Sequence, residues 1–189
     1  MRMSKNFQLK AKDFVIELPQ GADPWNDDWN ILSTYDGEHM GQVNFVGEKA
    51  LGTVPVSLEL TEKYQNKGYG TEIFRMMVSW AFSHSSVYEV KAVCDHDNDK
   101  AVFSLEKAGF VYRSKEMGVE TYSVVKPKTS WLGLYLIIGF NIGLVLAIVI
   151  NTSPWVGFIV GMFIGISIGT IMDQKEKKKR ERITGRKTD

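Results

Sequence analysis

The rhythm of apolar and polar positions changes along the chain, and each change predicts an element. Ile31–Tyr35 and Met40–Phe45 read as a hairpin about the Asp36-Gly37 turn. Thr53 to Leu60 has the apolar and β-branched content of a strand. Ile73, Met76, Met77, Trp80 and Ala81 then recur at helical spacing. Tyr88–Cys94 reads as a further strand. Asn98 is a good helix N-cap and Gly109 a good C′ residue, so a helix is predicted between them, with Phe110 opening the next strand. The stretch from Pro19 to Trp29 is Pro/Gly/Asp-rich and has no helical periodicity.

Periodicity ends at Trp131. Trp131–Ile150 and Trp155–Met172 carry no charge, and each is long enough to cross a hydrocarbon core of about 30 Å as a helix. Neither is N-terminal, so neither is a secretory signal peptide. The connector Asn151-Thr152-Ser153-Pro154 is short, which predicts an antiparallel hairpin. Its Asn-Thr-Ser matches a glycosylation sequon, but a site at a membrane surface followed by proline is a poor acceptor. Gly157, Gly161, Gly165 and Gly169 line one face of the second segment, and Gly139, Gly143 and Ala147 one face of the first. Such faces let helix backbones approach in lipid, either within the hairpin or in a homodimer. Asn141, the strongly polar side chain inside a span, is expected to bond a neighbouring helix.

Charge adds an orientation. Residues 173–189 hold eight Lys and Arg against four Asp and Glu, a net of +4; the whole chain is +1, leaving −3 for the rest. With Lys126 and Lys128 before the first span and an uncharged connector, the positive-inside rule places the N-terminal domain and the basic tail on the cytoplasmic side. No aromatic residues interleave with the basic run, which counts against nucleic acid. About 125 residues precede the spans, enough for one core. One cysteine excludes an internal disulfide and fits a reducing compartment. Three histidines and that cysteine have no metal-ligand spacing, so no metal is expected. Cys94 reads as a buried strand residue, not a nucleophile.

The chemistry lies in Tyr64-Gln65-Asn66-Lys67-Gly68-Tyr69-Gly70-Thr71-Glu72, between a predicted strand and a predicted helix. Gly68 and Gly70 let the backbone turn and approach a ligand. The free N–H groups of the first helical turn, aided by the helix dipole, then suit a phosphate. The loop lacks the Gly-Lys-Ser/Thr of a Walker A motif and the G-x-G-x-x-G of a dinucleotide fold. Gln65, Gly68 and Gly70 do match Q/R-x-x-G-x-G/A, and Asn98 followed by Glu106-Lys107-Ala108-Gly109-Phe110 stands at a fitting distance downstream. Over about residues 40–125 the chain resembles the GNAT acetyltransferases, in wording nearest the ribosomal-protein N-terminal branch.

That resemblance implies an α/β fold: a GNAT-like mixed, mainly antiparallel sheet flanked by helices over 1–125. A linker (126–130), two transmembrane helices (131–150 and 155–172) and a basic tail (173–189) follow. It implies acetyl-CoA as acyl donor, lying in a splayed gap between Thr53–Leu60 and Tyr88–Cys94. The backbone of Leu60 and Thr61 would then pair with the pantetheine arm. Gln65, Asn66, Lys67, Gly68, Tyr69, Gly70 and Thr71 would hold the pyrophosphate, and Asn98 would contact the arm or a phosphate. Relatives often place an acidic Tyr before the Glu-Lys; here that residue is Leu105. Other relatives place a Glu on the fifth strand; here the corresponding residue is Val93. Glu59 is therefore the leading general base, with Asp95 and Tyr112 behind it.

Family members normally carry two helices that wall the acceptor, where this chain has only Pro19–Trp29. The acceptor cleft is expected to be open, or completed by the membrane or a partner subunit. Trp25-Asn26-Asp27-Asp28-Trp29 either faces a cationic amine or tucks its Trp side chains against the sheet edge. Two readings follow. One is a membrane-anchored N-acetyltransferase acting on an amine of a protein N-terminus, peptide or small molecule. The other is a catalytically degenerate acyl-CoA sensor or interaction module.

Overall fold

The structure, a computed structural model, describes residues 7–45, 52–84, 86–128 and 130–184. Thr129 of the linker and Arg186 and Lys187 of the tail lie outside the described residues. The chain divides into two compact units, Met1–Lys126 and Pro127–Asp189.

The first unit is one eight-stranded sheet. Its strands are β1 (Gln8–Lys10), β2 (Phe14–Glu17), β3 (Trp29–Ser33), β4 (His39–Phe45), β5 (Thr53–Leu60), β6 (Glu89–Asp95), β7 (Val111–Glu116) and β8 (Val119–Val125), with helices α1 (Tyr69–Ser83) and α2 (Asp99–Ala108). They lie in the order β1-β2-β3-β4-β5-β6-β8-β7. Neighbours are antiparallel except β5 and β6, which run parallel because α1 crosses over between them.

The strands alternate, as a half-buried sheet requires. Phe14, Ile16, Trp29, Ile31, Val43, Phe45 and Val56 share one face by register and are buried. Ile73 and Met77 of α1 and Leu105 of α2 join them in a single core, so both helices pack on that face. The opposite face presents Val15, Glu17, Asn30, Leu32, Gln42, Asn44, Ser57 and Glu59, all half-buried or exposed. Gly41 lets β4 press against β5: a Cβ there would fall on the Glu59 carbonyl and Leu60 Cα.

Local chemistry ends the helices where the sequence suggests. Asn98 Oδ1 accepts from the Ala101 N–H at 3.0 Å, starting α2. Gly109, at φ 97°, turns its N–H back to Glu106 and Leu105 and stops it. β3 begins at Trp29, two residues earlier than the pattern suggests. The Trp29 ring is fully buried and its indole N–H donates to the Pro24 carbonyl at 3.0 Å. Trp25 packs on Phe45, Trp80 and His84 with ring centres near 5 Å. The aromatic loop is therefore a cover for the C-terminal half of α1. β6 is shifted one residue from Tyr88–Cys94, because the Tyr88 N–H bonds Gly52 O ahead of the ladder.

The second unit is a helical hairpin, α3 (Trp131–Val149) and α4 (Pro154–Thr184), both long and apolar enough to cross a membrane. The glycine faces meet each other. A Cβ at Gly143 would fall on the Gly157 carbonyl and Gly161 Cα, and one at Gly139 on Gly161 and Gly165. The Asp173 carboxylate of α4 accepts the first N–H of α3, from Trp131, at 2.7 Å. At 31 residues α4 is about 46 Å long, so it continues as helix through the basic run to Thr184.

Candidate functional site

Ladder contacts between β5 and β6 run only from Thr53↔Glu89 to Pro55↔Lys91. Past that point the parallel strands separate, and a cleft of about 790 Å³ opens between them, bounded by the start of α1 and by α2. Glu59, Leu60, Gln65, Asn66, Gly68, Gly70, Thr71 and Asn98 line it; Thr61, Lys67 and Tyr69 do not.

Register explains the exclusions. The Thr61 N–H bonds the Met40 carbonyl at 2.9 Å, and its hydroxyl bonds the same oxygen at 3.2 Å. Thr61 therefore faces β4. By antiparallel alternation the backbone groups of Leu60 and Leu58 face the opposite edge, toward the cleft. The Gln65 side chain donates to the Leu60 carbonyl at 2.7 Å and braces the loop against the strand end. Tyr69 packs edge-on to Phe14, with ring centres 6.0 Å apart. Lys67 lies over the Tyr64 ring, its Nζ 5.5 Å from the centre.

Loop geometry exposes the α1 N-terminus. Asn66 at φ 60° and Gly68 at φ 86° both take left-handed backbone, and no side chain caps α1. Its first N–H groups are thus left for an anion. Gly70 stands against α2, where a Cβ would lie 3.5 Å from Ser104 Oγ.

Lys100, Ser104 and Lys107 also line the cleft and were not singled out from the sequence. Their i, i+4, i+7 spacing marks one face of α2, the signal that would have revealed them. Cations and helix N-termini thus gather on the helix side. On the other face stand two carboxylates. Pro55 and Lys91 are in register, so Glu59 and Asp95, each four residues further on, share a sheet face on either side of the gap. Both are exposed, and among the described residues neither forms an ion pair.

The remaining candidates fall elsewhere. Leu105 is buried in the core. Tyr112 stacks edge-on against Tyr122 with centres 5.8 Å apart and does not line the cleft. Burial, reinforced by Glu120, pushes the Cys94 thiol up, so at neutral pH it is protonated and not a nucleophile. His96 bonds Glu120 at 2.7 Å, and the Tyr122 hydroxyl donates to the same carboxylate at 2.9 Å. That hydroxyl is the main reason the Glu120 carboxyl is held below its usual range. Among the described residues no three His, Cys, Asp or Glu side chains converge to hold a metal ion.

The architecture is thus a mostly antiparallel sheet, opened at one parallel pair beside an uncapped helix start. The Acetyltransferase (GNAT) domain family matches residues 6–111, and the chain belongs to it. An uncharacterized N-acetyltransferase of Bacillus subtilis (strain 168), YjdG, is 30% identical over 90 residues, 47% of this chain and 54% of that one. The chain thus spans about half the length of this relative. A Vibrio cholerae protein proposed to be a ribosomal-protein-serine acetyltransferase shares the fold at 13% identity, with a TM-score of 0.54 over 66% of this chain and all of that one. The Campylobacter jejuni N-acetyltransferase PseH, solved with acetyl coenzyme A, aligns at 18% identity and a TM-score of 0.44 over 53% of this chain and 69% of that one.

Proposed function

We propose that the chain is an acetyl-CoA-dependent N-acetyltransferase, anchored in a membrane by α3 and α4, with its N-terminal unit and basic tail on the cytoplasmic side. The observation that carries the reading is the strand gap between β5 and β6, ending on the uncapped start of α1. The residues present fit the donor. The α1 amides, Lys100 and Lys107 suit phosphates, and the gap-facing backbone of Leu58 and Leu60 suits an amide-bearing arm. Bound there, acetyl-CoA supplies an activated acyl group.

The protein supplies placement and proton handling. Glu59 and Asp95 offer negative charge on the open sheet face, where an incoming ammonium is attracted. Glu59 accepts the proton that the ammonium must lose before its nitrogen can attack. No residue of the loop 19–28 lines the cleft, and Trp25 packs on Phe45 and Trp80, which favours the covering role of that loop over contact with the amine. With the acceptor face unwalled by helices, the acceptor fits best as an amine on a large or extended molecule, such as a protein N-terminus.

Anchoring is supported by the two uncharged stretches, 131–150 and 155–172, and by the basic run that follows the second stretch within α4. The direct test uses the full chain in detergent micelles. Calorimetry should show acetyl-CoA binding, and CoA release should appear with a peptide amine. Glu59→Gln should keep donor binding and lower turnover by about 10²–10⁴-fold. Absence of binding would overturn the reading, while binding without release against a broad amine panel would favour a sensor. Labelling of a cysteine placed in the tail from outside intact cells should fail.

A further inference from the structure

We infer that the chain forms a parallel homodimer in the bilayer through the face of α3 that carries Asn141. The inference rests on the membrane-anchored reading above. The glycine faces cannot serve a second copy, because α3 and α4 occupy them with each other. Asn141 lies on the other side of α3, about 160° around the helix from Gly139 at 100° per residue. It stands near the middle of the helix, about 15 Å from its start and about 12 Å from its end, and it is exposed.

Its neighbours on that face are Leu134, Ile137, Val145 and Ile148, with exposures of 49%, 63%, 60% and 77%. Leu134, Asn141 and Ile148 repeat every seven residues. That is the seam of a left-handed helix pair with a polar residue at one seam position, the arrangement that sets register and partner number.

Polar capacity argues for a partner there. Asn141 Nδ2 donates to the Ile137 carbonyl at 2.8 Å, and among the described residues it makes no other bond. Its Oδ1 and second N–H are left facing hydrocarbon. Ser167 and Thr170 on α4 are different, since each hydroxyl donates its one proton within its own helix. A carboxamide is its own complement: one donates while the other accepts, in both directions across a two-fold axis. A second copy guarantees the match. The basic tail orients every copy alike, so each Asn141 arrives at the same depth.

The test is energy transfer between donor- and acceptor-labelled full chains in phosphatidylcholine vesicles at falling protein-to-lipid ratios, after alkaline carbonate extraction has scored anchoring. Wild type should associate, and Asn141→Leu, which is easily accommodated at a lipid-facing position, should weaken association about tenfold. Asn141→Gln keeps both amide functions and should stay within about threefold of wild type. In a Cys94→Ser background, Ile148→Cys should cross-link to itself, and Val160→Cys on α4 should not. Undiminished association of Asn141→Leu would overturn the Asn141 interface, as would a monomeric wild type that resists carbonate, or an Ile148→Cys variant that fails to cross-link to itself. A chain washed off by carbonate would overturn the anchoring reading and this inference with it.

Discussion

Glycine works in opposite ways in the two units. In the first, Gly68 and Gly109 sit at φ 86° and 97°, with nothing within 4 Å of where a Cβ would stand. Their space is free; their backbone angle is what other residues resist. In the hairpin, Gly139, Gly143, Gly157 and Gly161 keep negative φ, yet a Cβ on any of them would land inside the neighbouring helix. There the missing volume matters. The difference follows from what each unit must do. On the proposed reading, the loop before α1 has to aim N–H groups at the donor's phosphates. On the membrane-anchored reading, the hairpin must bring two apolar helices together where lipid is as apolar as they are, so only close backbone contact and dispersion favour pairing.

Substitutions can break this contrast. Gly143→Leu should have the largest effect, since the side chain would enter the Gly157–Gly161 backbone; a loss of about 3 kcal/mol is expected, read from unfolding in micelles. Gly68→Val should cost about 1–2 kcal/mol through strain alone, and donor binding by calorimetry should weaken with it because the loop N–H groups lose their aim. Gly70→Ala tests the boundary between the two uses. Its Cβ would make ordinary contacts at 3.5 Å with Ser104, so stability should hardly change, while Gly70→Leu should fill the cleft and abolish binding.

The smallest effect is an alkaline one, confined to the first unit. Burial, with the Glu120 bond second, pushes the Tyr122 phenol up to about 12. A raised folded pKa means the neutral phenol favours the native state. Its contribution is intact below pH 10, the ordinary phenol value, and is lost as pH rises from there to about 12. In an absorbance titration Tyr122 should ionise among the late tyrosines of the seven, with Tyr35 and Tyr64, whose phenols are also pushed up, and Tyr122→Phe should remove the step near pH 12. A step that survives in the variant would assign it elsewhere. Glu120 acts with the reverse sign. Its carboxyl is held low, so its contribution is present above the usual carboxylate range and fades as pH falls through its folded value.

Legibility followed the range of the interactions. The helix between Asn98 and Gly109 could be read residue by residue, because the cap bond and the left-handed turn each join residues no more than four positions apart. The two apolar segments were equally plain, since crossing length and absence of charge are properties of composition. Thr61 could not be placed that way. Whether it or Leu60 faces the cleft depends on which residues of β4 meet β5, a pairing set by strands about twenty residues apart. Tyr69 reads as part of a phosphate loop until Phe14, fifty-five residues earlier, takes its ring into the core.

The sequence by itself thus determined the element types, the glycine loop opening a helix, the α2 boundaries and the two apolar helices, because local backbone preference and hydrophobic content suffice for each. Tertiary structure alone decided that Glu59 and Asp95 flank one gap, that Lys100 and Lys107 line it, and that the hairpin's glycines are consumed by each other, leaving Asn141 outward. Those facts depend on strand register and helix rotation, which arise only when distant segments compete for the same buried surface.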